Sequence, residues 1–546
     1  ALHAVPALAD CVPTVIAAIT RQQYLLRFAN ALSREDLNKP TLLIMPVLPN
    51  GLPADPFLHQ LEPLFDTHPA CHRLVIEINQ ERPAGPAPTP KVNLAMRLES
   101  LRDRIGFAPL RTLALPLILK LGPLLPRSSR GRVGLLTDDN PLIRETAMVL
   151  TRRGYRVRRL PKLVARTEPC AVDTRVHAIA EPHLSQFISN WAPHSLQATI
   201  SEAFLNAIET EIGRYVAALP FWRRFLDDSV EPWVGVLANL AKNPQQWALF
   251  QACKERDLFF ATFQHGVSRE ICMYPRYSSS THEMTASTHF FSYNKVCADI
   301  AQNATAAQGA VFPIGPPQEI TKAGHHRRRR EKMPSIFYVS TNLYSMLTSG
   351  IRGKDTDVDM ARSEHDIITN ILAKLHHRLL YKPYPHAEGR FLDPDPCLVA
   401  AQAAANIEVY KDHKDLSLLL PDARLIITAR ATSTLGWCMA TRRPVVFINM
   451  PHSCPLLPEL RESVADGVFL FDSSDPTFRE ELLQFLQQPL SVIEEKHVAT
   501  KIEGRERLLE KYYMGMRDGA GIQAADKLVK TTQAHVPRST QFLNTN

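Results

Sequence analysis

Arg424-Leu-Ile-Ile-Thr-Ala-Arg-Ala-Thr-Ser-Thr-Leu-Gly-Trp-Cys-Met-Ala-Thr-Arg-Arg-Pro-Val-Val-Phe-Ile448 is the stretch on which the fold of this chain turns. Its apolar start, Leu425 to Thr428, is partly β-branched and predicts a buried strand. A small polar cluster, Thr432-Ser433-Thr434, ends that run. Leu435 to Thr441 is compatible with a helix, and Pro444 restarts the chain as a second apolar strand, Val445 to Ile448. Strand, hydroxyl-rich turn, helix and parallel strand make a βαβ unit, with the turn at the carboxyl edge of the sheet. Free backbone N–H groups and the positive end of a helix dipole face outward there, so Thr432, Ser433 and Thr434 suit a nucleotide phosphate. A plainer role for Ser433 or Thr434 is capping of the helix.

Three further segments follow the same grammar. Leu258-Phe-Phe-Ala-Thr-Phe-Gln-His-Gly266 is an apolar strand ending in Gln264-His265-Gly266. Val311-Phe-Pro-Ile-Gly-Pro-Pro317 is a short strand breaking at a Gly-Pro turn, and Leu379-Leu-Tyr-Lys-Pro-Tyr-Pro385 is a strand ending in a basic, proline-ordered loop. With the Thr432-Ser433-Thr434 segment, this order resembles the second half of GT-B glycosyltransferases of bacterial surface polysaccharides. It is most similar to the group that holds CDP-glycerol polymer transferases and the Kdo transferases of capsule and lipopolysaccharide. The resemblance spans roughly residues 230 to 450. It implies an α/β, GT-B-like fold: two Rossmann-like domains facing across a cleft. It departs from the group at Tyr384-Pro385, where many members have His-Pro; His386 stands one place later.

A chain of 546 residues exceeds a single core. The reading divides it into an N-terminal acceptor-side domain (1–320), a basic linker (321–332) and a C-terminal nucleotide-binding domain with bracing helices (333–530). A flexible tail (531–546) follows. Hydrophobic content of 45% and charged content of 22% exclude wholesale disorder. The nine cysteines form no Cys-x-x-Cys pair, which argues for reduced thiols and against a zinc site. The most apolar stretch, Leu113 to Leu125, is broken by Pro116, Lys120, Gly122 and Pro123 and is too short for a bilayer. A cytoplasmic protein is expected, with the inner face of the inner membrane as a place of peripheral contact. The net charge of +8 suits anionic partners: nucleotide sugars, phosphorylated or lipid-linked acceptors, an anionic membrane. Its sharpest cluster, His325-His-Arg-Arg-Arg-Arg330, reads as an exposed linker. Nucleic acid is not an expected partner, because no aromatic-interleaved basic strand or zinc module accompanies the charge.

Elsewhere strands alternate with helices. Helical residues from about Val15 to Leu32 precede strands at Pro40–Pro46 and Arg73–Ile78. Arg132-Val-Gly-Leu-Leu-Thr-Asp-Asp139 reads as a strand ending in two carboxylates, Pro141 to Arg153 as a helix closed by Gly154, and Tyr155 to Leu160 as the next strand. That second βαβ unit places Asp138 and Asp139 at a carboxyl edge. Residues 180 to 255 read as mostly helical. New sheet grammar begins at Ile336-Phe-Tyr-Val-Ser340, Ser363 to His377 is a helix, and Val468-Phe-Leu-Phe471 is a late strand.

Transfer chemistry in such a cleft needs a nucleotide anchor, positive charge for the departing phosphate, and a carboxylate or histidine for the acceptor. Thr432, Ser433 and Thr434 are the anchor, with Lys382 and Arg430 as phosphate contacts. His265 carries the most chemistry, since Gly266 beside it permits close approach of a ligand or backbone. A carboxylate is expected to complete the site, Asp138 or Asp139 ahead of Asp228. Gln264, Gly266 and His386 join the donor-binding set. The resemblance implies Kdo moved from CMP-Kdo onto a lipopolysaccharide or capsule acceptor. A cytidine monophosphate sugar leaves a single phosphate, so no metal and no cofactor beyond the donor is expected. The Asp-x-Asp matches, Asp355-Thr-Asp357, Asp357-Val-Asp359 and Asp393-Pro-Asp395, read as loop residues. Two alternatives stay open: a CDP-glycerol-type polyol-phosphate transferase, and a non-catalytic nucleotide-binding protein of the same shape.

Overall fold

The computed structural model describes residues 130–161, 194–239, 244–273, 283, 286–303, 309–323, 334–341, 357–384, 395–410, 416–451 and 454–535. The expected N-terminal helix and strands before residue 130, the basic cluster 325–330 and His386 lie outside them. Among the described residues twelve strands follow one another: β1 (Arg132–Leu135), β2 (Arg156–Arg159), β3 (Trp233–Ala238), β4 (Phe259–Phe263), β5 (His289–Ser292), β6 (Ala310–Pro313), β7 (Ile336–Val339), β8 (Leu379–Lys382), β9 (Ile407–Val409), β10 (Leu425–Ala429), β11 (Val445–Asn449) and β12 (Phe469–Asp472).

They form two six-stranded sheets with every pairing parallel. The first runs β2-β1-β3-β4-β5-β6 and the second, read from its far edge, β9-β8-β7-β10-β11-β12. Both are doubly wound orders, and each reverses direction once: between β1 and β3 in the first sheet, between β7 and β10 in the second. At such a reversal the flanking connections leave to opposite faces and open a crevice at the carboxyl edge. This is the two-domain, Rossmann-like architecture expected from the sequence. The first sheet ends at β6 and the second opens at β7, with Gly315 (φ +94°) turning the chain between them.

The quoted stretch shows why. All five residues of β10 and all five of β11 are buried, as a strand covered on both faces requires. Alternate residues feed two cores. Leu425 and Ile427 pack with Val446 and Ile448 on one face. Ile426, Val445 and Phe447 join a cluster that continues without a break to Val133, Leu135 and Phe263 of the first sheet. The domains therefore share one apolar core. Each fully buried aliphatic side chain contributes about 1.5–3 kcal/mol.

The helix Pro141–Arg152 forms where expected: the Asn140 carbonyl oxygen of the side chain accepts from Leu142 N, Pro141 opens the first turn, and Gly154 (φ +91°) follows the end. Residues 180 to 255 are mostly helical where described, as expected, but β3, which the sequence reading missed, separates the helices His194–Asp227 and Pro244–Lys254. Trp233-Val-Gly-Val-Leu-Ala238 is a short continuous apolar run, and such runs carry no period that separates strand from buried helix. The helix Asp357–Asn370 starts earlier than expected and takes in Asp357 and Asp359; Asp395 caps the helix Pro396–Ala403. The last helix, Ala520–His535, returns to the first sheet, so residues 531–535 of the expected tail are helical. Asp526 pairs with Arg153 at 2.5 Å, and Thr531 Oγ1 lies 3.0 Å from His289 Nε2.

The described cysteines, Cys253, Cys272, Cys297, Cys397, Cys438 and Cys454, are buried and none forms a disulfide. Burial pushes the Cys438 thiol up to about 12 and those of Cys253, Cys297 and Cys397 higher. Among the described residues no helix is long and apolar enough to cross a membrane.

One buried group sets an acid limit. His497 is 5% exposed, and burial first, then the nearby Arg505 charge, pushes its imidazole down to about 4. The folded state resists a proton that the unfolded chain accepts near pH 6.5. Stability from the neutral ring is therefore complete above pH 6.5 and is lost as pH falls towards 4. Thermal midpoints are expected to fall through that window, and less steeply in His497→Gln. Identical slopes for both proteins would remove His497 as the cause.

Candidate functional site

The carboxyl-edge turn after β10 is built by hydrogen bonding. Arg430 leaves the strand at φ +66°, Thr432 N donates to Arg430 O at 2.9 Å, and the Thr432 hydroxyl accepts from Thr434 N at 3.4 Å. The helix Ser433–Ala440 starts there, so the capping hydroxyl belongs to Thr432 rather than to Ser433 or Thr434. Thr432, Ser433 and Thr434 are half-buried at its amino end. A helix amino end carries positive charge that draws anions, and here Thr434 N is already taken by the Thr432 hydroxyl and Leu435 N by Thr432 O at 3.0 Å.

The other end of this helix is held by Arg505, which sequence reasoning did not single out. Its Nε donates to Gly467 O at 2.9 Å, and its Nη1 donates to Met439 O at 3.2 Å and Thr441 O at 3.0 Å. One guanidinium thus serves the carboxyl ends of two helices, Ser433–Ala440 and Arg461–Gly467, where the backbone dipoles leave negative charge. Burial brings Arg505 down to about 10, which leaves it cationic at neutral pH. No motif in the sequence marks such a cap.

Arg430 and Lys382, expected as phosphate contacts, are both drawn inward. Arg430 is 1% exposed; its Nη1 lies 3.2 Å from a Glu364 carboxylate oxygen and its Nη2 donates to Met360 O at 3.0 Å. Burial works against its charge, and Glu364 together with Tyr338 and Cys454 more than restores it. A left-handed arginine costs about 1–2 kcal/mol relative to an ordinary backbone. Lys382, at the end of β8, is buried with its ammonium 5.6 Å from the centre of the Tyr410 ring.

On the first sheet, the turn after β4 is anchored by two buried networks. Gln264 Nε2 donates to Gly266 O at 2.9 Å and to Glu270 Oε1 at 2.7 Å, while its Oε1 accepts from Tyr293 N at 2.7 Å. Asn294 Nδ2 donates to the same Glu270 oxygen at 2.8 Å and to Tyr512 O at 3.0 Å. Gln264 therefore braces the turn instead of facing a ligand. His265 N donates to Glu283 at 3.2 Å, and that buried carboxylate is also paired with Arg269. The His265 side chain is exposed.

Asp138 and Asp139 end the β1 segment at this same edge. Asn140 next to them donates from Nδ2 to Gln264 O at 3.0 Å and to Asn239 Oδ1 at 3.3 Å, spanning from β1 past β3 to β4. Asp139 and His265 are thus each one residue from a shared hydrogen bond. Asp138 is paired with Arg159, whereas Asp139 is exposed and its carboxylate has no partner among the described residues. Asp228 is a correction. It follows the helix His194–Asp227 and precedes β3, so it sits at the amino edge of the sheet, a six-residue strand away, about 20 Å. Its neighbour Glu231 pairs there with Arg132 at 3.2 Å and Arg156 at 2.5 Å, which start β1 and β2. Among the described residues no three His, Cys, Asp or Glu side chains gather as a metal-binding group.

The two turns meet. A Cβ at Gly266 would lie 2.8 Å from the Cβ of Ser433. One turn along, a Cβ at Gly436 would lie 2.5 Å from the Tyr513 hydroxyl and 3.3 Å from Val267. Backbone pairing continues the contact: Met273 N donates to Pro455 O at 3.1 Å and Leu457 N to Ile271 O at 2.9 Å. The His265 turn of one domain therefore stands directly at the amino end of the Ser433–Ala440 helix of the other.

No protein-family model and no curated protein matches this chain. Solved structures with some likeness include MnaA of S. aureus in complex with UDP, 9% identical over 74% of this chain and 98% of that one, TM-score 0.41. CalG4, the calicheamicin glycosyltransferase, is 13% identical over 75% and 100%, TM-score 0.40. MurG of Acinetobacter baumannii is 11% identical over 73% and 99%, TM-score 0.36. Likenesses this loose carry no argument here; the architecture stands on the strand orders and registers.

The Gly266–Ser433 approach is directly testable. Gly266→Ala is expected to lower stability by about 1–3 kcal/mol, the usual cost of overpacking. Ser433→Gly in the same chain should recover part of that loss, a coupling measured by denaturant unfolding of all four members of the cycle. Strict additivity would place the two residues out of contact.

Proposed function

We propose that this protein is a GT-B-type glycosyltransferase that moves a sugar from a nucleotide donor to a hydroxyl of a glycan or lipid-linked acceptor. The donor we assign is CMP-Kdo and the acceptor a bacterial lipopolysaccharide or capsule glycan, in keeping with the resemblance of the His265-Gly266 and Thr432-Ser433-Thr434 segments. The observation that carries the reading is the meeting of those segments: an exposed imidazole on one carboxyl edge and a helix amino end on the other, joined through Gly266 and Ser433.

In this reading the Ser433 amide and the Ser433 and Thr434 hydroxyls receive the nucleotide phosphate. As the bond from the anomeric carbon to the phosphate oxygen breaks, its electron pair leaves with CMP, and those donors stabilise the charge. His265 faces the same phosphate or the acceptor hydroxyl. Asp139, the carboxylate without a competing arginine, takes the acceptor's proton. Lys382 contributes positive potential from beneath the edge. The net charge of +8 supports peripheral contact with an anionic membrane, where a lipid-linked acceptor would lie.

A thermal-shift panel of CMP, CDP, UDP and GDP tests the nucleotide, because a ligand of the folded state at 100 times its Kd adds about 2.7 kcal/mol. CMP is expected to give the largest shift. Ser433→Ala with Thr434→Ala should weaken that binding by about 1–3 kcal/mol; unchanged affinity in a folded variant removes the turn from the site. For catalysis, His265→Ala is expected to slow CMP release from CMP-Kdo by about 10²-fold with CMP binding intact. Wild-type rates would return His265 to a packing role. Turnover of CDP-glycerol in place of every CMP-sugar would make the protein a polyol-phosphate transferase. Binding without any turnover would make it a nucleotide-binding protein.

A further inference from the structure

Arg430 is the one element of the β10 turn whose side chain and backbone both depart from what its position calls for. Its φ of +66° is a conformation that glycine or asparagine adopts readily and a long side chain rarely does. Such a residue persists only where its surroundings over-determine it. Here they do. Glu364, itself fully buried on the helix Asp357–Asn370, takes the guanidinium on Oε2 and accepts from the Tyr338 hydroxyl at 2.8 Å and the Tyr381 hydroxyl at 3.4 Å. Thr341, at the end of the β7 segment, lies 3.5 Å from the same guanidinium. The backbone is tied as well: Arg430 N donates to Ile448 O at 3.0 Å, and Ala431 N to the carbonyl of Cys454, another left-handed residue, at 2.9 Å.

We propose that Glu364 and Arg430 are positioning residues: their buried pair holds residue 430 left-handed, and that geometry aims the Thr432-Ser433-Thr434 turn and the first amides of its helix outward. A buried ion pair adds little net stability after the loss of solvation, and its best attested use is to select one geometry over others. The pair bridges the topological reversal between β7 and β10, where the direction of the exit decides whether the edge can take a ligand. Arg430 acts through the turn without touching the phosphate. The inference rests on the reading of that turn as the nucleotide anchor, but its conformational half is independent of any ligand.

Hydrogen exchange of the free protein tests that half. In Glu364→Gln and Arg430→Lys, amides of residues 430–436 are expected to exchange about tenfold faster or more, while those of β4 keep wild-type protection. Tyr338→Phe, which removes a single bond to Glu364, serves where either variant does not fold, with an expected change of about threefold. Unchanged exchange at 430–436 in folded variants overturns the proposal. The ligand half uses whichever of CMP, CDP or UDP shifts the wild-type melting point. Its Kd is expected to rise about tenfold in Glu364→Gln, while that of the parent nucleoside, which lacks phosphate, moves less than about twofold. Equal losses for nucleotide and nucleoside would mark general unfolding of the domain and overturn positioning. A wild-type protein that binds none of the three nucleotides would fail the proposed function, and the exchange result would still decide whether the pair aims the turn.

Discussion

Everything at the candidate site depends on how closely two polar sheet edges approach. Gly266 and Ser433 meet at a separation that admits no side chain at residue 266, and this contact fixes His265 and the helix Ser433–Ala440 at once. His265 is the residue before the glycine, and Ser433 is the first residue of the helix. Around the contact, Ile271–Met273 pairs its backbone with Pro455–Leu457, and one apolar core passes beneath from β4 to β10. Backbone groups that would otherwise be buried without partners find them across the domain boundary, which keeps the approach from carrying a desolvation penalty.

Three buried polar assemblies hold the two turns, each in a different way, and in the third Arg505 Nη2 has no hydrogen bond among the described residues. The Gln264–Glu270–Asn294 network uses amides and backbone N–H groups around a carboxylate. The Arg430–Glu364 pair matches charge with charge and fills the remaining carboxylate positions with tyrosine hydroxyls. Arg505 bonds three carbonyl oxygens, so two helix ends take the place of a counter-ion. In a medium where an unpaired charge is expensive, these arrangements leave few alternative conformations for the turns. Rigidity at both ends of the short Ser433–Ala440 helix follows from that, and a rigid helix end presents its amides without reorganising.

Much of this was legible in the residues themselves. The strands at 132, 259, 310, 336, 379, 425, 445 and 469 announce themselves as apolar runs cut off by glycine, proline or small polar residues, and the basic strand at 156 is marked by Gly154, which closes the helix before it. The carboxyl-edge placement of Asp138, Asp139, His265 and Thr432–Thr434 followed from the βαβ grammar. β3 was hidden because a six-residue apolar run has no usable period, and its loss had a consequence. Once Trp233–Ala238 is a strand, Asp228 must precede it and belongs to the opposite edge. The inward course of Arg430 was equally hidden, since a charged residue after a strand reads as exposed until its buried carboxylate, 66 residues away in sequence, is in view.

The residues alone were enough for nine of the twelve strands among the described residues, all but Trp233–Ala238, His289–Ser292 and Ile407–Val409, for their parallel pairing, and for the residue types that collect at their carboxyl ends. These are local properties: the period of apolar residues, the turn chemistry of glycine and proline, and the hand of the βαβ crossover. Only the tertiary structure decided the order of the strands, and with it where each sheet reverses and opens. It alone paired Glu364 with Arg430 and Arg505 with two helix ends. It alone set Gly266 against Ser433. Those contacts join residues far apart in the chain, and no local preference encodes them; they exist because the shared core brings two independently patterned sheets edge to edge.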